Sequence, residues 1–230
     1  MGRGREALGR PLLLAHRGAH NETIRENSLA ALVAGAALFD GVEFDVRFSA
    51  EGTAVIVHDE TLDRLFGVPR RVSELSVSEL AGIGVPTLSE VLAAMPLTTL
   101  IDLELKEQPT DAFFTTLVAA RGPNADGVVL SSFSPSVLRA VEGHAPLWSR
   151  WLNAESAAEA EEAVRLGCDG LSVAMDLLSD ANLSRWNEAG LEIAAWTLRD
   201  ATDARWVSDL RLTALCVEGD GVTAARAATR

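Results

Sequence analysis

The sequence predicts an α/β protein of the TIM (β/α)8 barrel class, and three observations support this. The chain has 230 residues, close to the usual length of one such barrel. Short apolar segments of strand length recur along it and alternate with helix-like segments, which favours a parallel sheet. No stretch rich in Pro, Gly and Ser divides the chain, so we expect a single barrel domain over residues 1–230.

The predicted strands follow one another at regular intervals. The first is PLLLAHRG, which ends at His16, Arg17 and Gly18. The next seven are GVEFDVRF, TAVIVHD, TTLIDLELK, DGVVLSSF, PLWSRWL, DGLSVAM and LEIAAWTL. Near the end, ALCVEG fits a further strand. The sequence therefore leaves open which eight segments close the barrel.

Helices are predicted between most of these strands. Asn27 or Ser28 can cap a first helix whose apolar body covers residues 29–39. Gly167 and Gly190 stand where the C-terminal caps of two later helices belong. The later helices are predicted over residues 110–121, 154–166 and 178–189.

The barrel should be irregular between strands 2 and 3. Only about seven residues link GVEFDV to TAVIVHD, whereas a crossover with a helix needs at least ~10–12. After strand 3 we expect a small insertion over about residues 61–85. The capping boxes Ser76-x-x-Glu79 and Thr87-x-x-Glu90 predict short helices in this part of the chain.

Composition and charge narrow the possible functions. The chain is 48% hydrophobic and carries a formal net charge of −13, which disfavours binding to nucleic acids or anionic membrane surfaces. The two cysteines form no C-x-x-C pair, so the sequence does not indicate a zinc site. The longest apolar run, residues 29–39, is too short for stable membrane insertion, which needs roughly 20 residues. Because PLLLA is also too short for a signal-peptide core, a cytoplasmic protein is expected.

Two acidic residues on the second strand predict a metal site. Glu43 and Asp45 are two residues apart, so on a strand both side chains point to one face. Two acids that share a face repel one another unless a cation lies between them, and carboxylate oxygens suit Mg²⁺, Ca²⁺ or Mn²⁺. The alternative is a strand whose acids face solvent.

The fourth strand repeats this spacing with charges of both signs. Asp102, Glu104 and Lys106 share one face. Glu104 is a candidate third metal ligand, and Lys106 is a candidate phosphate contact. A structural ion pair at the barrel mouth is the alternative.

Two histidines follow apolar strands directly. His16 and His58 suit a general acid and a general base, because active sites of TIM barrels lie at the carboxyl ends of the strands. Taken singly, each suits a packed structural histidine as well. Arg17 beside His16 offers a permanently charged fork for phosphate oxygens. Trp196 fits a pocket wall or a core position equally well.

These motifs, taken together, resemble the glycerophosphodiester phosphodiesterase family. The chain contains HRG, then REN, then VEFDVRFSAEGTAVIVHDETLDRLFG, followed by VPTLSEVL, LELK, SSFSP and AAWTL. Each motif is weak alone, but their order and spacing over roughly residues 12–218 are highly specific.

The resemblance implies a TIM barrel that hydrolyses glycerophosphodiesters to sn-glycerol 3-phosphate and an alcohol with one divalent cation. The binding partner that the resemblance implies is the small-molecule glycerophosphodiester. By the matching motifs, the metal ligands are Glu43, Asp45 and Glu104, the acid–base pair is His16 and His58, and the substrate contacts are Arg17, Lys106 and Trp196.

The chain departs from the family pattern in several places. Arg25 replaces the proline of the P-E-N-T motif, and VEGDG replaces the late T-D-x-P motif, with Glu218 near the aspartate position. The alternative functions are a lysophospholipase-D-like activity, a catalytically silent phosphodiester-binding barrel, and an unrelated barrel enzyme that uses a metal for enolate chemistry. The last leaves the HRG strand end without a role.

Overall fold

The computed structural model describes residues 8–228, which contain eleven strands. We number them β1 to β11 in chain order: Leu12–His16, Gly41–Phe48, Ala54–Ile56, Thr61–Leu62, Val68–Arg71, Leu100–Leu105, Val128–Ser132, Ser149–Ala154, Gly170–Ala174, Glu192–Leu198 and Ala214–Val217. The strand order in the main sheet is β1-β11-β10-β9-β8-β7-β6-β2-β3, and β1 also pairs with β2. The sheet is therefore closed into a parallel barrel, which confirms the predicted fold class.

Nine α-helices lie within residues 9–228, and we number them α1 to α9: Leu29–Leu38, Asp63–Phe66, Val77–Ile83, Leu88–Ala94, Asp111–Arg121, Pro135–His144, Ala157–Arg165, Asp180–Glu188 and Asp220–Ala228. Ser28 caps α1 by accepting a hydrogen bond from the Ala31 backbone N–H at 3.2 Å. Both predicted capping boxes are present, at the starts of α3 and α4. None of these helices combines the length and the apolar character needed to cross a bilayer.

The third predicted strand lies outside the barrel. β3 pairs antiparallel with the end of β2, with Val46 opposite Ile56. The eighth barrel strand is β11, in ALCVEG, which pairs parallel with β1 and places Leu12 opposite Ala214. The short link from β2 to β3 explains this arrangement, because a hairpin needs no crossover helix.

The expected insertion forms a small unit beside the barrel mouth. It contains β4, α2, β5, a 3₁₀ turn at Val72–Glu74 and α3. Its apolar side chains form their own buried cluster, Val55, Val57, Leu62, Val72, Leu75, Leu80 and Val85. Because β4 begins three residues after His58, this unit is fixed close to the carboxyl ends of the barrel strands.

The barrel interior is filled below the pocket. Trp151 is fully buried and packs in one cluster with Leu12, Leu14 and Cys216. Helices pack outside the strands over two larger apolar clusters. Only the upper end of the lumen remains available to a ligand, as expected for a TIM barrel.

Candidate active site

A pocket of about 190 Å³ opens at the carboxyl ends of the barrel strands. One side, which we call the charged wall, consists of His16, Arg17, Glu43, His58, Asp102, Glu104 and Lys106. The opposite side comes from β7 to β10 and the loops that follow them. We call it the β7–β10 wall, and it consists of Ser131, Phe133, Asn153, Glu155, Ser172 and Trp196.

Three buried carboxylates meet on the charged wall. Strand pairing places Asp45 on β2 directly opposite Glu104 on β6, and Glu43 opposite Asp102. One oxygen each from Glu43, Asp45 and Glu104 lies within 4.8 Å of the others. The three residues are at most 8% exposed. Inward-facing residues on adjacent strands therefore bring the three predicted metal ligands together.

The three carboxylates differ in how well their charge is balanced. Burial strongly raises the pKa of Glu43, and the charges of Asp45 and Asp102 add to the effect. Burial also raises the pKa of Glu104 to about 7, with Asp45 contributing. Burial opposes ionisation of Asp45 as well, but Lys106 and Arg17 outweigh it and lower the pKa of that carboxyl.

This donor set fits a hard divalent cation. All three donors are carboxylate oxygens, the ligand type that Mg²⁺, Ca²⁺ and Mn²⁺ favour. They are buried and close together, and burial together with the neighbouring acids raises the pKa of Glu43 and of Glu104. A cation between them would favour their ionised forms.

Lys106 and Arg17 lie against the same acids. Lys106 Nζ is 2.9 Å from Asp45 Oδ1 and 2.5 Å from Glu104 Oε1. The Arg17 backbone N–H donates to Glu43 Oε2 at 3.0 Å, and its guanidinium Nε is 3.4 Å from Asp45 Oδ2. Arg17 and Gly18 both have positive φ, 54° and 82°, so the chain turns sharply after β1. That turn directs the Arg17 side chain into the pocket.

His16 is held by a residue from the opposite end of the chain. Its Nδ1 is 2.5 Å from Glu218 Oε2, and its Nε2 is 3.9 Å from Glu43 Oε2. Glu218 also binds Arg199 Nε at 2.5 Å. Although burial opposes it, hydrogen bonding to the histidines lowers the pKa of Glu218. An ionised Glu218 therefore keeps the proton of His16 on Nδ1 and leaves Nε2 facing the acids.

His58 is held in a similar way. Its Nδ1 is 2.8 Å from Asp59 Oδ1, which leaves Nε2 for the pocket. Arg64 from α2 donates to Asp59 through Nε at 2.6 Å. Burial lowers the pKa of His58, against the attraction of Asp45. The ring therefore favours its neutral form near pH 7.

Arg64 also forms hydrogen bonds with Glu26 in the loop between β1 and α1. It donates to both carboxylate oxygens of Glu26, at 2.7 and 3.2 Å. Glu26 in turn accepts from Arg17 at 2.8 Å. Arg64 thus links the supports of His58 and Arg17.

The structure brings the eight predicted site residues together. Seven line the pocket, and Asp45 lies behind them in contact with Lys106 and Arg17. The acids do not face solvent, because Glu43, Asp45 and Glu104 are buried. The alternative of an ion pair at the barrel mouth is also present, since Lys106 pairs with Glu104. Both histidines line the pocket and are hydrogen-bonded. Trp196 lies on the pocket wall, with its ring centroid 5.6 Å from that of Phe133.

Several supporting residues were not predicted to act at the site. Asn27 is buried and donates through Nδ2 to Asp45 Oδ2 at 2.7 Å. His20 places Nε2 3.5 Å from Glu218. The REN and LDR motifs contain Asn27 and Arg64, so the motif match was the one available signal for these two. Glu218 and His20 reach the site only through the closure of the barrel.

A parallel barrel with such a pocket at the carboxyl ends of its strands is a TIM-barrel enzyme. Residues 16–219 match the glycerophosphoryl diester phosphodiesterase family. The chain belongs to this family, whose members are phosphoric diester hydrolases.

Relatives and solved structures agree with this assignment. The chain is 26% identical to "Probable glycerophosphodiester phosphodiesterase 2" of Mycobacterium tuberculosis, over 95% of this chain and 89% of that protein. It is 34% identical to a glycerophosphodiester phosphodiesterase of Caldanaerobacter subterraneus, a match that spans 35% of this chain and only 38% of that relative.

Two solved structures cover almost the whole chain. A glycerophosphodiester phosphodiesterase from Agrobacterium tumefaciens has a TM-score of 0.78 at 25% identity, over 94% of this chain and 99% of the other. An Oleispira antarctica phosphodiesterase in complex with the product sn-glycerol-3-phosphate has a TM-score of 0.76 at 24% identity, over 95% and 96%.

Proposed function

We propose that the protein hydrolyses glycerophosphodiesters to sn-glycerol 3-phosphate and an alcohol, using one divalent cation. The observation that carries the proposal is the meeting of three features in one pocket. These are the buried acid trio, the two cations Arg17 and Lys106, and two histidines that are each anchored through Nδ1 by a carboxylate. The product named for the Oleispira antarctica structure supports the choice of substrate.

Glu43, Asp45 and Glu104 are the proposed ligands of the cation. When bound, a divalent cation supplies Lewis-acid charge for the phosphoryl oxygens and the attacking hydroxyl. Asn27 supports this site by holding the Asp45 carboxylate in place. Mg²⁺, Ca²⁺ and Mn²⁺ all suit the oxygen donors, and Mg²⁺ or Ca²⁺ is the proposed choice.

His16 and His58 are the proposed acid–base pair. One Nε2 removes the proton from the attacking glycerol hydroxyl or water as its oxygen bonds to phosphorus. The other histidine, which enters the step as the imidazolium, donates its Nε2 proton to the alkoxide as the bond between phosphorus and the leaving oxygen breaks. Attack by the hydroxyl gives a cyclic phosphate, which water then opens in a second displacement to yield glycerol 3-phosphate. Glu218 and Asp59 keep each Nδ1 protonated, so that both Nε2 atoms remain available.

Arg17 and Lys106 are the proposed phosphate contacts. Charge that grows on the phosphoryl oxygens needs fixed donors, and these two side chains already face the pocket. Trp196 is the proposed wall for the organic part of the substrate. Its indole Nε1 donates to the Ser172 carbonyl at 3.2 Å, which fixes the ring.

The test is release of glycerol 3-phosphate from a panel of glycerophosphodiesters, with Mg²⁺, Ca²⁺, Mn²⁺ or a chelator, and with lysophosphatidylcholine as a separate arm. We expect release that depends on the cation. His16→Ala and His58→Ala should each lower kcat by about 10²–10⁴-fold. Cleavage of lysophosphatidylcholine without cleavage of any deacylated diester would contradict the proposed substrate class.

The metal assignment has a readout that does not depend on turnover. Glu43→Ala or Asp45→Ala should abolish both the activity and the rise in Tm that the cation causes. Asp126→Ala is the matched control, because Asp126 is an exposed acid before β7, at the other end of the barrel. Activity that persists in chelator, or in both site variants, contradicts the assignment.

A further inference from the structure

A second group of possible metal ligands lies at the barrel mouth and contains none of the three acids of the proposed cation site. It consists of His16, His20 and Glu218, and one donor atom from each lies within 4.8 Å of the others. His16 ends β1, His20 lies in the loop after β1, and Glu218 directly follows β11. Because β1 and β11 pair in the barrel, these three residues meet at its rim.

Both histidines face the same oxygen of Glu218. His16 Nδ1 is 2.5 Å from Glu218 Oε2, and His20 Nε2 is 3.5 Å from that atom. The other oxygen, Oε1, is held by Arg199 Nε at 2.5 Å. Since Arg199 fixes the orientation of the carboxylate, Oε2 stays directed at the two ring nitrogens. Two imidazole nitrogens and one carboxylate oxygen therefore converge on one small region.

His20 is the member of this group whose contact is weak. Its distance of 3.5 Å to Glu218 exceeds the usual N–H···O range of about 2.7–3.2 Å. Its Nε2 atom is buried, and in the part of the chain that the structure describes it makes no other hydrogen bond or ion pair. A buried polar atom without a good partner is destabilising. A cation that bound this nitrogen would remove that cost.

The chemistry of the donors differs from that of the acid trio. Two imidazole nitrogens with one carboxylate oxygen suit Zn²⁺ and similar transition metals, whereas carboxylates alone suit Mg²⁺ or Ca²⁺. In a tetrahedral zinc site with bonds of about 2.0–2.1 Å, the ligand atoms lie about 3.3 Å apart. The 3.5 Å between His20 and Glu218 is close to this value. The 2.5 Å contact of His16 would lengthen as the metal replaced its hydrogen bond.

We propose that His16, His20 and Glu218 form a second metal site, selective for Zn²⁺ or a similar transition metal, and that a cation bound there inhibits the enzyme. The inhibition rests on the proposed function, in which His16 exchanges a proton through Nε2. A metal on Nδ1 of the neutral ring displaces the proton held there, and that proton passes through solvent to Nε2. Nε2 then cannot accept a proton from a nucleophile, and the imidazolium that proton donation needs cannot form.

The binding test is calorimetric titration with Zn²⁺ in excess Mg²⁺, which competes for the acid trio. His20→Ala should weaken binding at this site by at least about 10–100-fold, the range already caused by loss of a residue that only supports a metal ligand. His144→Ala is the matched control, because it removes an exposed histidine at the other end of the barrel, and it should change the affinity by less than about twofold. Asp45→Ala, which removes a member of the acid trio, should keep the site.

Co²⁺ provides a readout of the coordination itself. Tetrahedral Co²⁺ absorbs visible light far more strongly than octahedral Co²⁺, and zinc sites of this donor type are tetrahedral. The wild-type protein and Asp45→Ala should therefore show this absorption, and His20→Ala should lose it. Absorption that persists in His20→Ala and disappears in Asp45→Ala would place the metal at the acid trio and overturn the proposal.

Inhibition is measured as glycerol 3-phosphate release against Zn²⁺ concentration, with each variant compared with its own rate without Zn²⁺. The concentration for half inhibition should rise in His20→Ala by the same factor as the dissociation constant. Absence of release with the expected zinc binding would contradict the proposed function and support the metal site. Equal zinc affinities of wild type and His20→Ala, both folded by circular dichroism, would overturn the site. Zinc binding without inhibition would overturn its effect on His16.

Discussion

One carboxylate side chain orients each of the two histidines, Glu218 for His16 and Asp59 for His58. Glu218 also makes further contacts. It fixes the Nδ1 proton of His16 and binds Arg199 and His20 as well. A neutral acceptor at this position could keep the hydrogen bond but would lose the charge that stabilises a protonated His16. The effect of Glu218 should therefore appear in the chemical step more than in substrate binding.

We expect Glu218→Ala to lower kcat by about 10–100-fold, the range seen for residues that orient a catalytic group. KM should change by less. Glu218→Gln should retain part of the activity, because its side-chain oxygen can still accept from Nδ1. Steady-state kinetics measure kcat and KM for these variants. Glu188→Gln, which removes an exposed acid outside the pocket, is the control. Wild-type kcat in Glu218→Ala would show that His16 needs no such support.

Cysteine chemistry is a second property of individual residues. Burial raises the pKa of the Cys168 thiol to about 11. Burial also raises the pKa of Cys216, and the nearby charge of Asp102 adds to it. The thiolate is the reactive form, so at pH 8 both side chains should resist thiol reagents in the folded protein. Because the Cys168 thiol loses its proton more readily in the unfolded chain, its contribution to stability should disappear between about pH 9 and pH 11.

A colorimetric thiol assay measures the reactivity of both cysteines directly. At pH 8 we expect almost no reaction of the native protein within minutes and reaction of both thiols in denaturant. Rapid labelling of Cys168 without denaturant would mean that the helix and strand around it open frequently.

At the scale of elements, the insertion after β3 supports the active site through α2. Arg64 on this helix binds Asp59 behind His58 and Glu26 behind Arg17. Arg25, at the position of the family's proline, places its guanidinium 4.3 Å from the Phe66 ring at the end of the same helix. The chain thus fastens its first loop to the insertion by an ionic contact and an aromatic contact.

Arg64→Ala should lower kcat/KM by about tenfold, because both Asp59 and Glu26 lose the partner that orients them. Arg64→Lys should recover only part of this, since lysine cannot make the two-pronged contact. Arg70→Ala is the matched control, because Arg70 lies on the same insertion and pairs with exposed Glu79. Equal activity of the Arg64→Ala and Arg70→Ala variants would contradict the role of α2.

The turn after β1 depends on a glycine. Gly18 has a φ of 82°, and a Cβ there would lie 2.5 Å from the Ala31 backbone carbonyl carbon. Gly18→Ala should therefore lower the free energy of unfolding by about 3 kcal/mol or more. Gly82→Ala, inside α3 with open space around it, should stabilise the protein by about 0.5–1 kcal/mol. Urea unfolding compares the two, and equal stabilities would contradict the packing argument.

The elements that the sequence predicts well are those specified by local signals. Helix α1 starts after Ser28, and the capping boxes start α3 and α4, because side chain and backbone satisfy one another within four residues. The pairing of β3 and β11 was harder to predict. Both are short apolar runs, and their different roles follow from contacts with β2 and β1, which are made only when the barrel closes.

At the scale of the whole molecule, the site also contains residues that local sequence predicts and residues that meet only when the barrel closes. Residues on strand faces, such as Glu43 and Glu104, follow from a two-residue spacing and could be predicted. Glu218 could not be assigned its contact with His16, because the two residues are 202 positions apart. The support that Arg64 gives depends on how the insertion folds back over the barrel mouth.

The net charge of −13 should affect the rate at which anionic substrates arrive. Glycerophosphoglycerol is an anion, whereas glycerophosphocholine has no net charge. Raising NaCl from about 20 to 200 mM shortens the range of the repulsive field. We expect kcat/KM for the anion to rise by about two- to threefold relative to the zwitterion. A fall with salt would mean that attraction by Arg17 and Lys106 dominates the approach.

The contact between His16 and Glu218 has a consequence for synthesis of the protein. A nascent chain presents His16, Arg17, Glu43 and Glu104 early, but the barrel cannot close until β11 has left the ribosome tunnel. Until then the His16 ring lacks the carboxylate that orients it, and the pocket lacks one side. The proposed hydrolytic activity should therefore arise only after β11 has been synthesised and has paired with β1.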